Sequence, residues 1–404
     1  MKRVNLFLII ILPAIITGCG ENKQSTDDLI TVDVNGNYPQ KELILQDFLD
    51  VEYIPLETTD DFVSMGFIQD IGKEIILDRT LLSSGLISEI LLFDKTGKGL
   101  RKIDRRGQGP EEYVIIGTTV LLDEENNEIY VNASSPRQMF VYDLLGNFKR
   151  NLPWMIENYI FSETKNFDRD HLICYFDAHN YVATFPEREQ VNNLYWIISK
   201  QDGSIMKEIE IPYKQRKVAS IPSTVVNGEL IARSVFIRQK KLTPYHNSWV
   251  LFEPSSDTIY RYLPDHRLIP FIARTPSIQS MDPEIFLLPG LLTDRYYFMQ
   301  FVVKKNDNGV FPMTDMAYDK QENTLFEVAV LNDDFTDKRP VHMWHEETVS
   351  VLIDGEDIIY AEKLEALELV EAYKNGQLKG KLKEIAAGMD EEDNPVIMVA
   401  RNKK

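Results

Sequence analysis

The chain has 404 residues, of which 44% are hydrophobic, and a formal net charge of −19. So acidic a chain repels phosphate backbones and anionic membrane surfaces, which argues against nucleic-acid binding. A soluble, well-hydrated surface is the simplest interpretation of the charge, and the apolar content is sufficient for a sizeable core.

The N-terminus has the layout of a secretory signal. Lys2 and Arg3 precede an apolar run from about Leu6 to Ile16, and small residues follow it. A membrane-spanning helix needs about 20 apolar residues, so this run is too short to be one. We therefore predict that residues 1–18 form a signal peptide.

The sequence Ile16-Thr17-Gly18-Cys19 resembles the lipobox of bacterial lipoproteins. The resemblance implies cleavage before Cys19, acylation of its thiol and new amine by chains such as palmitate, and attachment to the cell envelope. We expect the outer membrane of a Gram-negative bacterium, on either its periplasmic or its surface face. An ordinary secretory signal with a chance cysteine is the alternative. Residues 19–45, which begin with a polar stretch, are predicted to be a flexible tether.

Short apolar runs separated by turn signals fill the chain between about Val51 and Tyr360. They are rich in Ile, Val, Tyr and Phe, as β-strands are. Examples are SEILLFD, NEIYVNA, QMFVYD, LYWIIS, SWVLFE, TIYRYL, RYYFMQFVV and TLFEVAVL. The pattern predicts an all-β domain over residues 46–404.

A strand–turn–strand unit recurs along this domain. Its turns begin at Asp94, Asp143, Lys200 and Glu253, at intervals of 49, 57 and 53 residues. The next interval, to Leu331, is 78 residues and implies an insertion. A period near fifty with several strands per unit predicts a β-propeller with six blades, or seven.

Residues Arg105–Leu152 resemble an NHL-type propeller repeat. The matching positions are Asp123, Ile129, Tyr130, Val131, Arg137, Val141, Tyr142, Asp143, Gly146 and Phe148. The whole chain is similar to six-bladed propeller lipoproteins of Bacteroidetes-type bacteria, in which a GxGPxEY linker follows the first blade and a DNPV segment lies near the C-terminus. This resemblance implies a fold and a compartment, and no shared activity.

The stretch GQGPEEY, which begins at Gly107, is predicted to cross from one blade to the next. We expect positive φ at Gly107 and Gly109, and Pro110 ends the strand ladder. Glu111 and Glu112 are expected to be solvated. A phosphate cradle is the alternative, but it requires a following helix, and the residues that follow are strand-like.

The C-terminal region, Ala361–Met389, is predicted to form two helices that are separated at Asn375-Gly376 and pack on the side of the propeller. The residues expected on their apolar faces are Leu364, Leu367, Val370, Leu378, Leu382 and Ile385. The segment PVIMVA, residues 395–400, reads as the last strand. We expect it to close the ring together with the N-terminal segment VEYIPLE.

The chain lacks a strong catalytic or cofactor motif. Cys174 lies in an apolar segment and is expected to be a buried structural thiol. His342 and His345 precede two glutamates, but a metal site would need a third ligand of known position. The segment CYFDAHNY places an aspartate near a histidine without a nucleophile. We therefore predict no catalytic, metal or cofactor residue.

Two classes of function remain. The first is a non-catalytic propeller, anchored to the membrane through Cys19, that binds a glycan, peptide or protein or acts as a scaffold. The alternative is a hydrolase or lyase whose polar residues come from several blades and gather at one mouth of the central channel. A cluster of Asp, Glu, Asn or His side chains at one mouth would favour the alternative, whereas an apolar channel would favour binding elsewhere.

Overall fold

The computed structural model describes residues 29–81, 88–153, 161–176, 195–221, 224–226, 229–232, 235–236, 240–305, 310–344 and 358–403. Within these residues the strands form six blades arranged in a ring, which is a β-propeller. The predicted all-β propeller is therefore confirmed, and the number of blades is six.

The described chain begins with three strands that precede the first complete blade. They are β1 (Ile30–Asp33), β2 (Gln40–Ile44) and β3 (Leu49–Pro55), with the short helix α1 (Leu45–Phe48) between the last two.

Blades 1, 2 and 3 are antiparallel sheets of four consecutive strands. Blade 1 contains β4 (Phe67–Ile71), β5 (Ile75–Leu81), β6 (Ser88–Asp94) and β7 (Gly99–Ile103). Blade 2 contains β8 (Ile115–Asp123), β9 (Glu128–Ser135), β10 (Arg137–Asp143) and β11 (Phe148–Leu152). Blade 3 contains β12 (Phe161–Asn166), β13 (His171–Phe176), β14 (Tyr195–Ser199) and β15 (Ile205–Ile209). Two small paired units follow, made of β16 (Ser220–Ile221), β17 (Thr224–Val226), β18 (Glu229–Ala232) and β19 (Val235–Phe236).

Blades 4, 5 and 6 each include one of the N-terminal strands. Blade 4 contains β1 and β20 (Leu242–Pro244), β21 (Trp249–Leu251), β22 (Thr258–Tyr262) and β23 (Leu268–Thr275), and a 3-10 turn (Ile278–Ser280) follows it. Blade 5 contains β2 and β24 (Ile285–Leu292), β25 (Tyr296–Val303), β26 (Met313–Asp319), β27 (Thr324–Asn332) and β28 (Arg339–Val341). Blade 6 contains β29 (Ile358–Leu364), β30 (Val396–Asn402) and β3, with helices α2 (Ala366–Lys374) and α3 (Gly380–Ala386) between β29 and β30.

The first strand of each blade lies innermost, and these six strands contact one another around the ring. We call the end at which each inner strand turns into the second strand the upper mouth. In blade 1 this turn is residues 72–74, and in blade 2 it is residues 124–127. The opposite end, which includes the crossing from blade 1 to blade 2, is the lower mouth.

Each blade is apolar on both faces because it packs against a blade on either side. In β10, Phe140 and Tyr142 pack in a cluster with blade 1, whereas Met139 and Val141 pack in a cluster with blade 3. Alternate residues of a strand point to opposite faces, so both sets are buried. This explains why the strands read as nearly continuous apolar runs in the sequence.

The N-terminal segment is more structured than predicted. Residues 19–45 were expected to be a flexible tether, but β1 pairs in parallel with β23, and β2 pairs in parallel with β27. Val32 and Leu45 are fully buried in the core. Apolar side chains in this segment therefore fix it to the ring from Ile30 onwards, and the predicted tether is wrong for that part. The expected ring closure is present, because β3 pairs with β30.

The repeated strand–turn–strand units are not equivalent positions of the blades. The units at Asp94, Asp143 and Lys200 join third and fourth strands, whereas the unit at Glu253 joins the second and third strands of blade 4. An apolar strand and a polar turn occur at every junction of an antiparallel sheet, so the pattern alone does not identify the hairpin. The extra residues consequently lie between blades 3 and 4, and not after Glu253 as predicted.

The two predicted helices are present and separate as expected, since Gly376 has a φ of +69° immediately after α2. They pack against blades 5 and 6 through Leu369, Leu378 and Leu382. Of the three residues predicted for the apolar face of the first helix, however, only Val370 is a buried residue of α2. β29 extends through Leu364, and Leu367 is 49% exposed.

Candidate functional site

The predicted linker lies at the lower mouth, between β7 and β8. Neither Gly107 nor Gly109 has positive φ, so that expectation is wrong. The glycines instead make room for Glu112, which folds back over them and accepts a hydrogen bond from the Gly109 amide at 2.9 Å. A Cβ on Gly107 would lie 1.7 Å from the same carboxylate oxygen. Glu112 is therefore half-buried, and only Glu111 is exposed as predicted.

The other residues considered from the sequence do not form a site within the described chain. Cys174 is fully buried, as predicted, and burial raises the pKa of its thiol to about 12. His342 is exposed beside the Trp344 ring, at 5.6 Å between ring centroids. His345, the glutamates after it, the Asp177–His179 pair and Cys19 lie outside the described residues.

A cavity of about 600 Å³ opens at the upper mouth over blades 1 to 3, with one edge on blade 4. Its polar lining residues are Asp70, Lys73, Glu74, Asp123, Glu124, Glu125, Asn127, Lys165, Asn166, Asp168, Lys200 and Asn247. Phe167 and Trp249 are its aromatic members. The volume is typical of sites for small molecules, and the lining supplies both hydrogen-bond donors and acceptors.

Glu124 shapes the rim of this cavity by joining blade 2 to blade 1. Its carboxylate accepts hydrogen bonds from the amides of Lys73, Glu74 and Ile75, at 2.5, 3.0 and 2.8 Å. A Cβ on Gly72 would lie only 2.3 Å from the carboxyl carbon, so glycine is required for this approach. Successive amides in a turn form a concave site for an anion, and here the anion is the protein's own side chain.

A buried ion pair supports the wall between blades 2 and 3. The Lys200 ammonium donates to Asp123 Oδ2 at 2.7 Å and to the carbonyl oxygen of Asp168 at 2.9 Å. Both charged side chains are almost completely buried. Asn126 also donates to Asp123 Oδ2, at 2.9 Å. Because each charge has several partners, this pair serves to hold the wall in place.

Asp70 is one of two buried acids of the cavity, with Asp123, and Lys165 lies near enough to influence it electrostatically. Burial raises the pKa of the Asp70 carboxyl, and the neighbouring Glu124 carboxylate acts in the same direction. The charge of Lys165 and the amides of Leu122 and Ile71, each 3.1 Å from an Asp70 oxygen, oppose this shift. Burial dominates, so Asp70 holds its proton more tightly than an exposed aspartate does.

Sequence reasoning did not single out Asp70, Lys165 or Asn166. These residues lie at or near the ends of two inner strands, β4 and β12, and approach one another only when the blades close into a ring. A usable signal was present, because the inner strands of blades 1 to 3 carry polar residues at or next to the end that precedes the first turn. It could not be read without knowing which strand of each blade is innermost.

A family model described as "Domain of unknown function (DUF4934)" matches residues 29–401. The chain belongs to the DUF4934 family. The match covers all six blades of this DUF4934 protein together with its N-terminal strands, so the family corresponds to the whole ring as described above.

Solved structures include several proteins similar to this DUF4934 chain. One is a "putative exported protein" from Bacteroides fragilis, with 16% identity, a TM-score of 0.59, and coverage of 93% of this chain and 100% of that one. A DUF4221 family member from Bacteroides vulgatus has 8% identity and a TM-score of 0.44, with 89% and 99% coverage. The β-propeller domain of the Trilobed protease from Pyrococcus furiosus has 11% identity and a TM-score of 0.29, with 74% and 78% coverage. No curated protein matches the chain significantly.

None of the helices formed by the described residues is long and apolar enough to cross a membrane. Among the same residues, no group of three or more His, Cys, Asp or Glu side chains is arranged to hold a metal ion.

Proposed function

We propose that this protein is a propeller of the cell envelope that binds a small polar ligand in its upper-mouth cavity. The observation that carries the proposal is the cavity itself, in which polar side chains from blades 1 to 4 converge beside two aromatic residues. Such a concave site with a few placed polar groups is the usual form of a small-molecule site. The ligand that we propose is a glycan or a short peptide.

The second part of this proposal is a lipid anchor at Cys19 in the outer membrane. It is supported by the lipobox-like sequence before Cys19 and by the name of the exported protein from Bacteroides fragilis. We also propose that residues 105–152 form an NHL-type repeat. The two strands of that sequence pattern coincide with β9 and β10. We expect Cys19→Ala to abolish labelling with palmitate analogues and release the protein from the membrane fraction. Labelled lipid on the variant would refute the anchor.

The alternative function, a hydrolase or lyase, has two observations in its favour, and the first is the cluster of acidic and amide side chains at the upper mouth. The second is Asp70, a buried carboxyl in the cavity with a raised pKa, which is a property of catalytic acids. Its two hydrogen bonds from backbone amides also fit a purely structural role. If the protein is an enzyme, Asp70→Asn should abolish turnover while ligand binding persists. If it is a binding module, no turnover will be found with the wild-type protein.

The binding proposal is tested with a panel of monosaccharides, amino acids and tripeptides, by ligand-observed NMR. Asn247→Trp places a large ring at the exposed edge of the cavity and should abolish binding of any ligand held there. Asn35→Trp, on an exposed turn of the N-terminal segment, is the matched control and should bind as the wild type does. Binding that survives Asn247→Trp unchanged would place the site elsewhere and overturn the proposal.

A further inference from the structure

We infer that the ligand of the upper mouth is a neutral sugar, held through neighbouring hydroxyl groups by Lys165 and the acids around it. This inference rests on the proposed binding function and names the chemical class of the ligand. It depends on three features of the described residues: an uncommitted lysine, the balance of charge in the cavity, and the lack of a free strand edge at the rim.

Lys165 is the donor that the fold leaves available. Its side chain lies half-buried in the cavity wall and makes no hydrogen bond or ion pair with another described residue, although its charge acts on the Asp70 carboxyl. Lys200, by contrast, is committed to Asp123 and to a backbone oxygen. A sugar hydroxyl both accepts and donates hydrogen bonds, so it can accept from Lys165 while donating to a nearby carboxylate or amide oxygen. Adjacent hydroxyls repeat this pattern, and Asn166, whose buried Oδ1 accepts no hydrogen bond from the described residues, and the exposed Asn247 supply further partners.

The charge of the cavity selects against acidic ligands. Asp123 and Lys200 compensate each other, and among the remaining lining residues the acids outnumber the lysines. The acids are Asp70, Glu74, Glu124, Glu125 and Asp168, and the lysines are Lys73 and Lys165. A cleft with excess negative charge lowers the local concentration of anions. Uronic acids, sulfated sugars and phosphorylated ligands are therefore disfavoured relative to neutral sugars.

The rim also disfavours an extended peptide. One common way to bind such a peptide is to pair it with a free strand edge. The rim consists of turns, and the amides of Lys73, Glu74 and Ile75 are already bonded to Glu124. Phe167, which is half-buried at the cavity, provides apolar surface for the non-polar face of a sugar ring, and such a ring has no need of backbone pairing.

The inference is tested with glucose, galactose, mannose and N-acetylglucosamine as neutral probes and glucuronate as the acidic probe. We expect at least one neutral sugar to bind, and to bind more tightly than glucuronate. Lys165→Met should weaken that binding about tenfold or more, because a hydrogen bond from a charged group is lost. Lys381→Met, on the exposed surface of α3, is the matched control and should change nothing.

The outcomes separate this inference from the function on which it rests. If amino acids or tripeptides bind and are blocked by Asn247→Trp, while no neutral sugar binds, the ligand class is wrong and the binding site stands. If glucuronate binds as tightly as the best neutral sugar, the charge argument fails and the inference is overturned. If a sugar binds but Asn247→Trp has no effect, both the site and the inference are wrong.

Discussion

Blades 1 to 3 and blades 4 to 6 are completed in different ways. The first three consist of consecutive strands, whereas each of the last three incorporates one strand from the first 55 residues of the chain. The upper-mouth cavity lies mainly on blades 1 to 3, and blade 4 contributes only Asn247 and Trp249 to its lining. The half of the ring that the N-terminal segment braces is therefore not the half that carries most of the polar site.

The inner strands of the two halves also differ in how far they are buried. In blade 5, β24 is buried over almost its whole length, whereas β12 in blade 3 is largely half-exposed and ends in Lys165 and Asn166. Blades 4 to 6, which are buried and joined to the N-terminal strands, can act as a rigid support. Blades 1 to 3 can then present polar side chains to a ligand. The comparison suggests where mutations should unfold the protein and where they should change binding alone.

The largest effect on stability is expected at one of the two junctions between these halves, namely the junction between blades 6 and 1. The Lys363 ammonium lies 2.7 Å from Asp78, which is fully buried, and donates to the carbonyl oxygen of Gly66 at 2.8 Å. Asp78→Ala leaves the ammonium without its counter-charge and should lower the free energy of unfolding by about 3–5 kcal/mol. Urea denaturation measures this change in the free energy of unfolding.

A double variant is the control for this prediction. Asp78→Leu combined with Lys363→Met removes both charges, so it should be less destabilising than Asp78→Ala alone. A single variant that unfolds at the wild-type urea concentration would mean that this ion pair does not hold the ring closed.

The next effect tests the brace on blade 4. Val32 in β1 is 1% exposed, so Val32→Ala should lower the free energy of unfolding by about 2 kcal/mol through lost burial and the cavity that remains. Leu29→Ala, three residues earlier and 52% exposed, is the matched control and should have little effect. Equal melting temperatures for both variants would show that β1 is only a tether.

These two sites also show what the sequence could and could not predict. Strand identity follows from local apolar patterns, which survive in a single sequence. The closure of β3 on β30 follows from the propeller architecture that those strands predict. The parallel pairing of β1 with β23 joins segments about 240 residues apart, and Asp78 meets Lys363 only in the closed ring. Local pattern carries no information on such contacts, which is why the predicted tether is too long and why the sequence does not identify which residues form the polar mouth.

A smaller effect is expected on the acid stability of blade 2. Burial alone would raise the pKa of Glu128, but hydrogen bonds from Arg150, Lys149 and Tyr130 lower it to about 2. An unfolded glutamate has a pKa near 4.5, so the stabilisation is fully present above that pH and is lost as pH falls towards 2. Glu128→Gln should therefore show a shallower loss of stability between pH 4.5 and 2, measured by urea denaturation at each pH. Exposed Glu125→Gln should keep the wild-type slope, and a wild-type slope in Glu128→Gln would contradict the assignment.

The smallest effect is expected at Gly107, on the linker that joins blades 1 and 2. Its added Cβ would meet only the flexible carboxylate of Glu112, which can swing away, so Gly107→Ala should cost less than about 1 kcal/mol. Gly97→Ala is the informative contrast, because Gly97 has a φ of +87° and its Cβ would lie 1.9 Å from the backbone oxygen of Pro55. Since neither backbone can move without opening the ring closure, that variant should melt well below the wild type. If Gly107→Ala melted as far below the wild type as Gly97→Ala, movement of Glu112 would not accommodate the added Cβ, and the role given to Glu112 would be wrong.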